Sequence, residues 1–174
     1  MLRIRTATEP GDLGWMVMAH GELYSRAYGW DTTFEALTAR IVADFAASHD
    51  PAREAAWVAE LDGDRVGCVL CVTDHDGDDR TARLRILLVT PEARGHGAGT
   101  RLVDRCLEFA RAAGYERMVL WTNDVLTSAR RIYEARGFVL VEESPHHSFG
   151  HDLVGQTWEL SFGTPVTSPA AGPS

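Results

Sequence analysis

The stretch Leu84-Arg85-Ile86-Leu87-Leu88-Val89-Thr90-Pro91-Glu92-Ala93-Arg94-Gly95-His96-Gly97-Ala98-Gly99-Thr100 constrains this chain more than any other. It reads as a buried strand, a short turn at Pro91, a glycine-rich loop and the first turn of a helix. Gly95, Gly97 and Gly99 remove Cβ atoms where the main chain must come close to a ligand. The helix that follows aims unpaired N–H groups and the positive end of its dipole at the same point. The loop is therefore an anion cradle, and a pyrophosphate is the natural anion for it. Strand and helix periodicities alternate along the rest of the chain, which supports a mixed α/β domain.

Three phosphate-binding loops compete for these residues. A Walker A loop ends in Gly-Lys-Ser/Thr, where this chain has Gly99-Thr100-Arg101. A dinucleotide fingerprint needs its third glycine at the position held here by Thr100. The coenzyme A loop, Arg/Gln-x-x-Gly-x-Gly/Ala, matches Arg94-Gly95-His96-Gly97-Ala98-Gly99 at every position. A ligand-free helix cap would need only one glycine. On this motif the chain resembles the GNAT superfamily of acetyl-CoA-dependent N-acyltransferases, from about Leu2 to Leu160. Its closing segment, Glu142 to Leu160, looks most like GNAT domains fused to MarR-type winged-helix regulators in bacteria.

At 174 residues one domain is expected. No run reaches the ~18 apolar residues of a membrane span. Met1-Leu2-Arg3-Ile4-Arg5 lacks a signal core, so a cytoplasmic protein without membrane partners is expected. A formal net charge of −8 argues against nucleic-acid binding and mildly favours a cationic or amine-bearing acceptor. Cys68 and Cys71, three apart on one strand, point to opposite faces and cannot chelate together. Cys106 lies on the apolar side of a helix, and all three thiols read as buried hydrophobes.

Leu2 to Arg5 alternates as a first strand. Asp12 reads as the N-cap of a helix with Leu13, Met16, Val17, Leu23, Tyr24 and Ala27 inward. Thr32 or Thr33 caps a second helix that buries Phe34, Leu37, Ile41, Val42 and Phe45. Ala55 to Leu61 and Arg65 to Val72 form a hairpin about Asp62-Gly63-Asp64. Asp74 to Asp79 is a solvated tip, because the EF-hand spacing fails. Ala82 to Val89 is the strand entering the loop, and the helix beyond it stops at Gly114. Arg117 to Thr122 is a strand, and Asn123-Asp124 caps a helix that Gly137 closes. Phe138 to Glu143 and Gln156 to Phe162 are the last strands, with a loop from Ser144 to Gly155 between them. The order β-α-α-β-β-β-α-β-α-β-β is what the GNAT resemblance implies: an α/β fold over residues 1–162 whose mixed sheet splays at the cofactor cleft. The tail, 163–174, is too poor in apolar residues to pack and is expected to be disordered.

The resemblance also implies roles. The main chain of Leu87, Leu88 and Val89 holds the pantetheine arm of acetyl-CoA, with the Leu88 N–H polarising the thioester carbonyl. Arg94, Gly95, His96, Gly97, Ala98, Gly99 and Thr100 cradle the pyrophosphate. Asn123 and Ser128 neighbour the cofactor, and Arg101 and Arg105 stand near its 3′-phosphate. Ile132-Tyr133-Glu134-Ala135-Arg136-Gly137-Phe138 is similar to the family's tyrosine-x-x-x-glycine-phenylalanine segment, whose phenol protonates the departing thiolate. Leu126 stands where the family often has asparagine. Ala82 to Leu87 holds no glutamate, the family's usual base, and Arg83 and Arg85 occupy that strand instead. An amine of pKa ~10.4 loses its proton at pH 7 only at a cost of ~4–5 kcal/mol. Glu22, His146, His147, His151 or a water relay are the candidates for taking it.

Glu22, Tyr24, Tyr28 and Trp30 fall where family substrate loops lie, and His146 and His147 are further acceptor-pocket candidates. His147 and His151, four apart, would chelate on a helix, but Pro145 and Gly150 argue for a loop, so no metal is expected. The implied reaction is direct acetyl transfer to a primary amine of a small molecule or peptide: a polyamine, an antibiotic, an amino acid or a protein lysine. Homodimers are common among similar proteins. The missing strand glutamate and the regulator-fused relatives suggest a rival, a non-catalytic acyl-CoA sensor or interaction module. A nucleotide-binding module stands third.

Overall fold

A computed structural model describes residues 1–163. The expected disordered tail therefore lies, beyond Gly163, outside the described residues. The chain runs β1 (Leu2–Thr6), α1 (Asp12–Tyr28), α2 (Thr32–Ser48), β2 (Ala55–Leu61), β3 (Asp64–Thr73) and β4 (Thr81–Val89). A single 3-10 turn (Pro91–Ala93) leads to α3 (Ala98–Ala112), β5 (Arg117–Asn123), α4 (Thr127–Ala135), β6 (Val139–Ser148) and β7 (His151–Ser161). The strands form one seven-stranded sheet in the order β1-β2-β3-β4-β5-β7-β6, antiparallel except where β4 runs parallel to β5.

Two cores lie on the two faces. Leu84, Leu102, Cys106, Met118, Tyr133 and Trp158 belong to the α3–α4 side, and Met16, Val42, Phe45, Val58, Leu70 and Leu88 to the α1–α2 side. Cys68 and Cys71 fall in opposite cores, as their spacing on one strand requires. The Asp62-Gly63 turn has positive φ at both residues (53° and 97°), the twist a two-residue hairpin favours.

Four local expectations give way, one of them at α4, whose N-cap is Leu126 without a side-chain hydrogen bond rather than Asn123-Asp124. Gly11, in the left-handed region, is the N-cap of α1, and Asp12 is instead a fully buried carboxylate. It accepts from Arg5 Nη1 at 2.8 Å, Arg65 Nε at 2.8 Å and the Glu9 N–H at 2.9 Å, tying α1 to β1 and β3. Asp31, rather than either threonine after it, caps α2 by accepting from the Thr33 N–H. The segment Ser144 to Gly155 is not a loop but most of a hairpin, turning at Phe149-Gly150 with φ of 57° and 82°. Pro145 is tolerated because β6 is the sheet edge, where a missing donor breaks no ladder. The hairpin tip docks on the α1–α2 junction. Phe149 packs 5.0 Å from both Trp30 and Phe34, its carbonyl accepts from the Asp31 N–H, and His151 Nε2 lies 3.0 Å from Gly29 O.

Candidate active site

The site follows from what β4 does after its first three rungs. Thr81, Ala82 and Arg83 pair with Arg117, Met118 and Val119 of β5, and there the pairing stops. β5 goes on to Asn123 beside β7, while β4 stays with β3, so the two parallel strands part like a V. On the β3 side the register slips between Cys68 and Leu70, leaving Ile86 and Leu87 without rungs. Ile86 sits there at φ 49°, a costly conformation for a β-branched residue and one that a bulge beside a functional site accounts for.

Antiparallel alternation then decides which main-chain groups face the opening. The Thr90 N–H donates to Val66 O at 2.8 Å, and two rungs along Leu88 stands opposite Cys68. Leu88 therefore turns its N–H and C=O towards β3, and Val89 turns its own outwards. This moves the expected main-chain contact off Leu88, whose side chain is buried in the α1–α2 core. Leu87, on the bulge, and Val89 remain at the opening.

A cleft of about 690 Å³ occupies the V, with Leu87, Leu88 and Val89 along one wall and Ser128, Ala129 and Ile132 of α4 along the other. Tyr24 and Tyr28 of α1 close its inner end, and Arg94 to Thr100, except His96, form its outer end. Gly95 and Gly97 have φ of 81° and 75°, with nothing near a hypothetical Cβ, so their turn is a main-chain requirement. Gly99 has a different reason: a Cβ there would lie 2.8 Å from Ile132 Cδ1, so its bareness brings α3 against α4. The Arg94 and His96 N–H groups are used within the loop, on Pro91 O and Ala93 O. The first backbone bond of α3 is Arg101 N–H to Gly97 O. Among the described residues the N–H groups of Gly95, Gly97, Ala98, Gly99 and Thr100 thus have no backbone acceptor and gather at one end of the cleft. A diphosphate fits that end, and an apolar arm fits the wall of Leu87, Val89 and Ile132.

The other expected residues scatter. His96 is exposed and outside the cleft wall. Arg101 donates to Leu2 O, and Arg105 lies beside Glu108 and over the Trp57 ring. Ser128 lines the cleft, but Asn123 is buried, with Oδ1 2.8 Å from His146 Nε2. His147 sits with Asp152 and His151 with Gly29 O, so the three histidines do not converge. The described residues hold no cluster of three metal-ligating side chains. Glu22 is exposed on α1 and paired with Arg26, itself on the cleft rim, at 3.3 Å.

Tyr133 is buried in the α3–α4 core rather than on the cleft wall. Burial, and next the Tyr24 phenol, push its hydroxyl well above the usual tyrosine range. Tyr24 packs on the opposite face of the sheet. Both hydroxyls stay protonated at neutral pH, because burial raises that of Tyr24 as well.

Two residues carried no usable sequence signal. His20, one helical turn before Tyr24, is buried and stacked on it at 5.7 Å. Its Nδ1 lies 2.6 Å from Met16 O, and burial lowers its pKa to about 4. Arg85, read only as a residue standing where a base should be, has no counter-ion among the described residues.

With this geometry in place, comparison with known proteins decides the class. The model of the Acetyltransferase (GNAT) family matches residues 18–138, and the chain belongs to that family. It is 36% identical over 105 residues to N-acetylaspartate synthetase of Rattus norvegicus, covering 60% of this chain and 33% of that protein. It is 38% identical over 93 residues to human N-acetyltransferase 8B, covering 52% and 41%. The matched stretch thus spans about a third of the N-acetylaspartate synthetase. Among solved structures, yncA of Salmonella typhimurium with its cofactor acetyl-CoA superposes with a TM-score of 0.75 at 18% identity, over 98% of this chain and 99% of that one. Ribosomal-protein-alanine N-acetyltransferase of Brucella melitensis gives 0.73 at 18% identity, over 92% and 99%. These structures share the fold.

Proposed function

We propose that the chain is an acetyl-CoA-dependent N-acetyltransferase that acylates a primary amine by direct attack. The observation that carries this reading is one continuous main-chain track. It consists of the unpaired edge of β4 at Leu87 and Val89, running into the five free N–H groups of the loop and α3. Acetyl-CoA supplies the acetyl group as a thioester, so that a C–N bond forms as the C–S bond breaks and the sulfur leaves as thiolate.

The residues divide the work. The Gly95, Gly97, Ala98, Gly99 and Thr100 N–H groups and the Arg94 guanidinium hold the diphosphate, and the edge of β4 orients the arm. An N–H on the bulge, at Leu87 rather than Leu88, faces the carbonyl oxygen and favours charge on it. The Tyr133 phenol, kept protonated by burial, serves as the proton donor to the sulfur. Glu22, held by Arg26 at the rim, takes the amine's proton by way of water. No thiol enters the scheme, since Cys68, Cys71 and Cys106 are all buried outside the cleft wall.

The family's amine chemistry and the named relatives, which include an N-acetylaspartate synthetase, support an amine acceptor. We place residues 1–162 in one catalytic domain of a cytoplasmic protein without nucleic-acid or membrane partners; no described helix is long and apolar enough to cross a membrane. The likeness of Glu142 to Leu160 to regulator-fused domains, and a homodimer, belong to the same proposal.

Calorimetry with coenzyme A, followed by thiol release from acetyl-CoA across an amine panel, tests the reading. Micromolar binding with amine-dependent release supports it. Binding without release for any amine class leaves an acyl-CoA sensor. No heat at high micromolar ligand removes the cofactor claim altogether.

A further inference from the structure

The acceptor has to arrive from the α1–α2 side of the splay, because α3 and α4 cover the other. On that side Arg26, at the cleft rim, is paired with Glu22, and a second cation, Arg85, stands beyond the cleft lining. Continuing the β4–β5 register, in which Arg83 meets Val119, would place Arg85 opposite Trp121. The strands part before that rung forms. Arg85 is therefore the first residue on its face beyond the last pair, across the gap from a Trp121 side chain that is 47% exposed. Its face is fixed by its partner on β3: Arg85 stands opposite Leu70, and Leu70 belongs to the α1–α2 core.

The neighbouring guanidinium groups are all engaged. Arg83 holds Asp74 at 3.0 Å, Arg117 holds Asp78 at 2.9 Å, and Arg5 and Arg65 share Asp12. Arg85 alone in this part of the sheet, among the described residues, has neither a carboxylate in salt-bridge range nor a hydrogen-bond acceptor, although it is half-buried. Burial and then the like charge of Arg83 lower its pKa from the ordinary arginine value; Asp76, Asp74 and Asp44 act against this only from a distance. A half-buried cation without a partner is costly to keep. A ligand carboxylate would remove that cost, and a guanidinium fork takes one in two parallel bonds.

We propose that Arg85 receives a carboxylate of the acceptor, so that the substrates are small amines carrying a carboxylate a few bonds from the reacting nitrogen, as amino acids do. This rests on the acetyl-transfer reading above and narrows its acceptor. Arg85 precedes the bulge at Leu87 by two residues on the same strand, close enough for one small molecule to reach both. Trp121, with His146 tilted on it at 5.3 Å, offers an aromatic wall for the carbon skeleton between them.

The test uses matched amines of similar basicity, β-alanine against propylamine and γ-aminobutyrate against butylamine. Binding to the coenzyme A-loaded protein is read by ligand-observed NMR, and turnover with acetyl-CoA by thiol release. The carboxylate member of each pair should bind at least tenfold more tightly. Arg85→Gln should abolish that preference by raising KM for the carboxylate amines, with kcat and coenzyme A affinity unchanged, and Arg85→Lys should restore part of it. Equal binding within the pairs, a preference for alkylamines or a polyamine such as spermidine, or an equal loss for both members in Arg85→Gln overturns the inference while leaving acetyl transfer standing. Failure to bind coenzyme A would instead defeat the reading beneath it. The comparison within each pair on the unaltered protein stands even if a variant folds poorly.

Discussion

On the α3 side of the splay the contacts on offer are main chain: the bare edge of β4, the turns at Gly95 and Gly97 and the first N–H groups of α3. On the α1–α2 side they are side chains brought from distant parts of the sequence: Arg85 from β4, Trp121 from β5, Tyr24 from α1 and Phe149 from the β6–β7 tip. A cofactor that never changes can be held by backbone, whose geometry depends on a few glycines. An acceptor that differs between relatives has to be read by side chains, and these can change without disturbing the sheet. The two halves should accordingly fail in different ways.

The largest effect should come from the anchor of the acceptor side. Asp12→Ala leaves Arg5 buried without its main partner and should cost about 3–5 kcal/mol of stability, read by urea denaturation. A loss under 1 kcal/mol would mean that α1 is held by packing alone. The acid limb follows from the same groups. Arg5, by its hydrogen bonds, holds Asp12 well below the usual carboxylate range, so its contribution is complete above about pH 4 and lost as pH falls further. His20 acts earlier. Its folded pKa of about 4 lies below the ordinary 6.5, so the unfolded chain takes up the proton first and stability declines as pH drops from 6.5 towards 4. His20→Gln should flatten Tm over that window, and an unchanged slope would assign the decline elsewhere.

The cofactor side should break at Gly97. A valine there puts a β-branched residue at φ 75°, at a strain of about 1–2 kcal/mol, and sets a side chain among the free N–H groups. Coenzyme A should bind about 100-fold more weakly, a loss of about 2.7 kcal/mol, with Tm shifted by only a few degrees. Retained affinity would show that the loop does not carry the diphosphate.

The same division explains what could be read from the sequence. The strand, loop and helix from Leu84 to Ala112 are local, so their signals sit side by side and hold in the structure. The Asp62-Gly63 hairpin is legible for the same reason. Phe149 is not: Gly150 marks a break in the chain, but nothing announces a left-handed phenylalanine before it, which persists because Trp30 and Phe34 hold its ring. Asp12 has the sequence of a cap and becomes a buried ion-pair centre because Arg5, from β1, and Arg65, 53 residues away, both fold against it. Leu88 against Leu87 turns on a one-residue bulge, which shifts every main-chain direction beyond it and leaves no mark on composition.

Tyr133 tests where the two halves meet. Its phenol is buried in the α3–α4 core, and burial keeps it protonated at neutral pH. Tyr133→Phe keeps the packing against Phe138, 5.7 Å away, and removes only the hydroxyl. Turnover should fall about 100-fold with coenzyme A affinity unchanged, and Tyr24→Phe should fall less. Equal turnover in Tyr133→Phe and the unaltered protein would leave the residue a core packing group.

The smallest effect sharpens the comparison most, because it should touch the acceptor side alone. Asparagine tolerates the left-handed conformation, so Phe149→Asn keeps the hairpin turn and removes the ring between Trp30 and Phe34. Losing two aromatic contacts at the tip is worth about 1 kcal/mol, enough to loosen the hairpin where it docks on the α1–α2 junction. The acceptor KM should rise about fivefold, while coenzyme A affinity, set by main chain on the far side of the splay, stays where it was. If both constants move together, the halves are not independent, and the hairpin tip supports the cleft as a whole rather than the face that reads the amine.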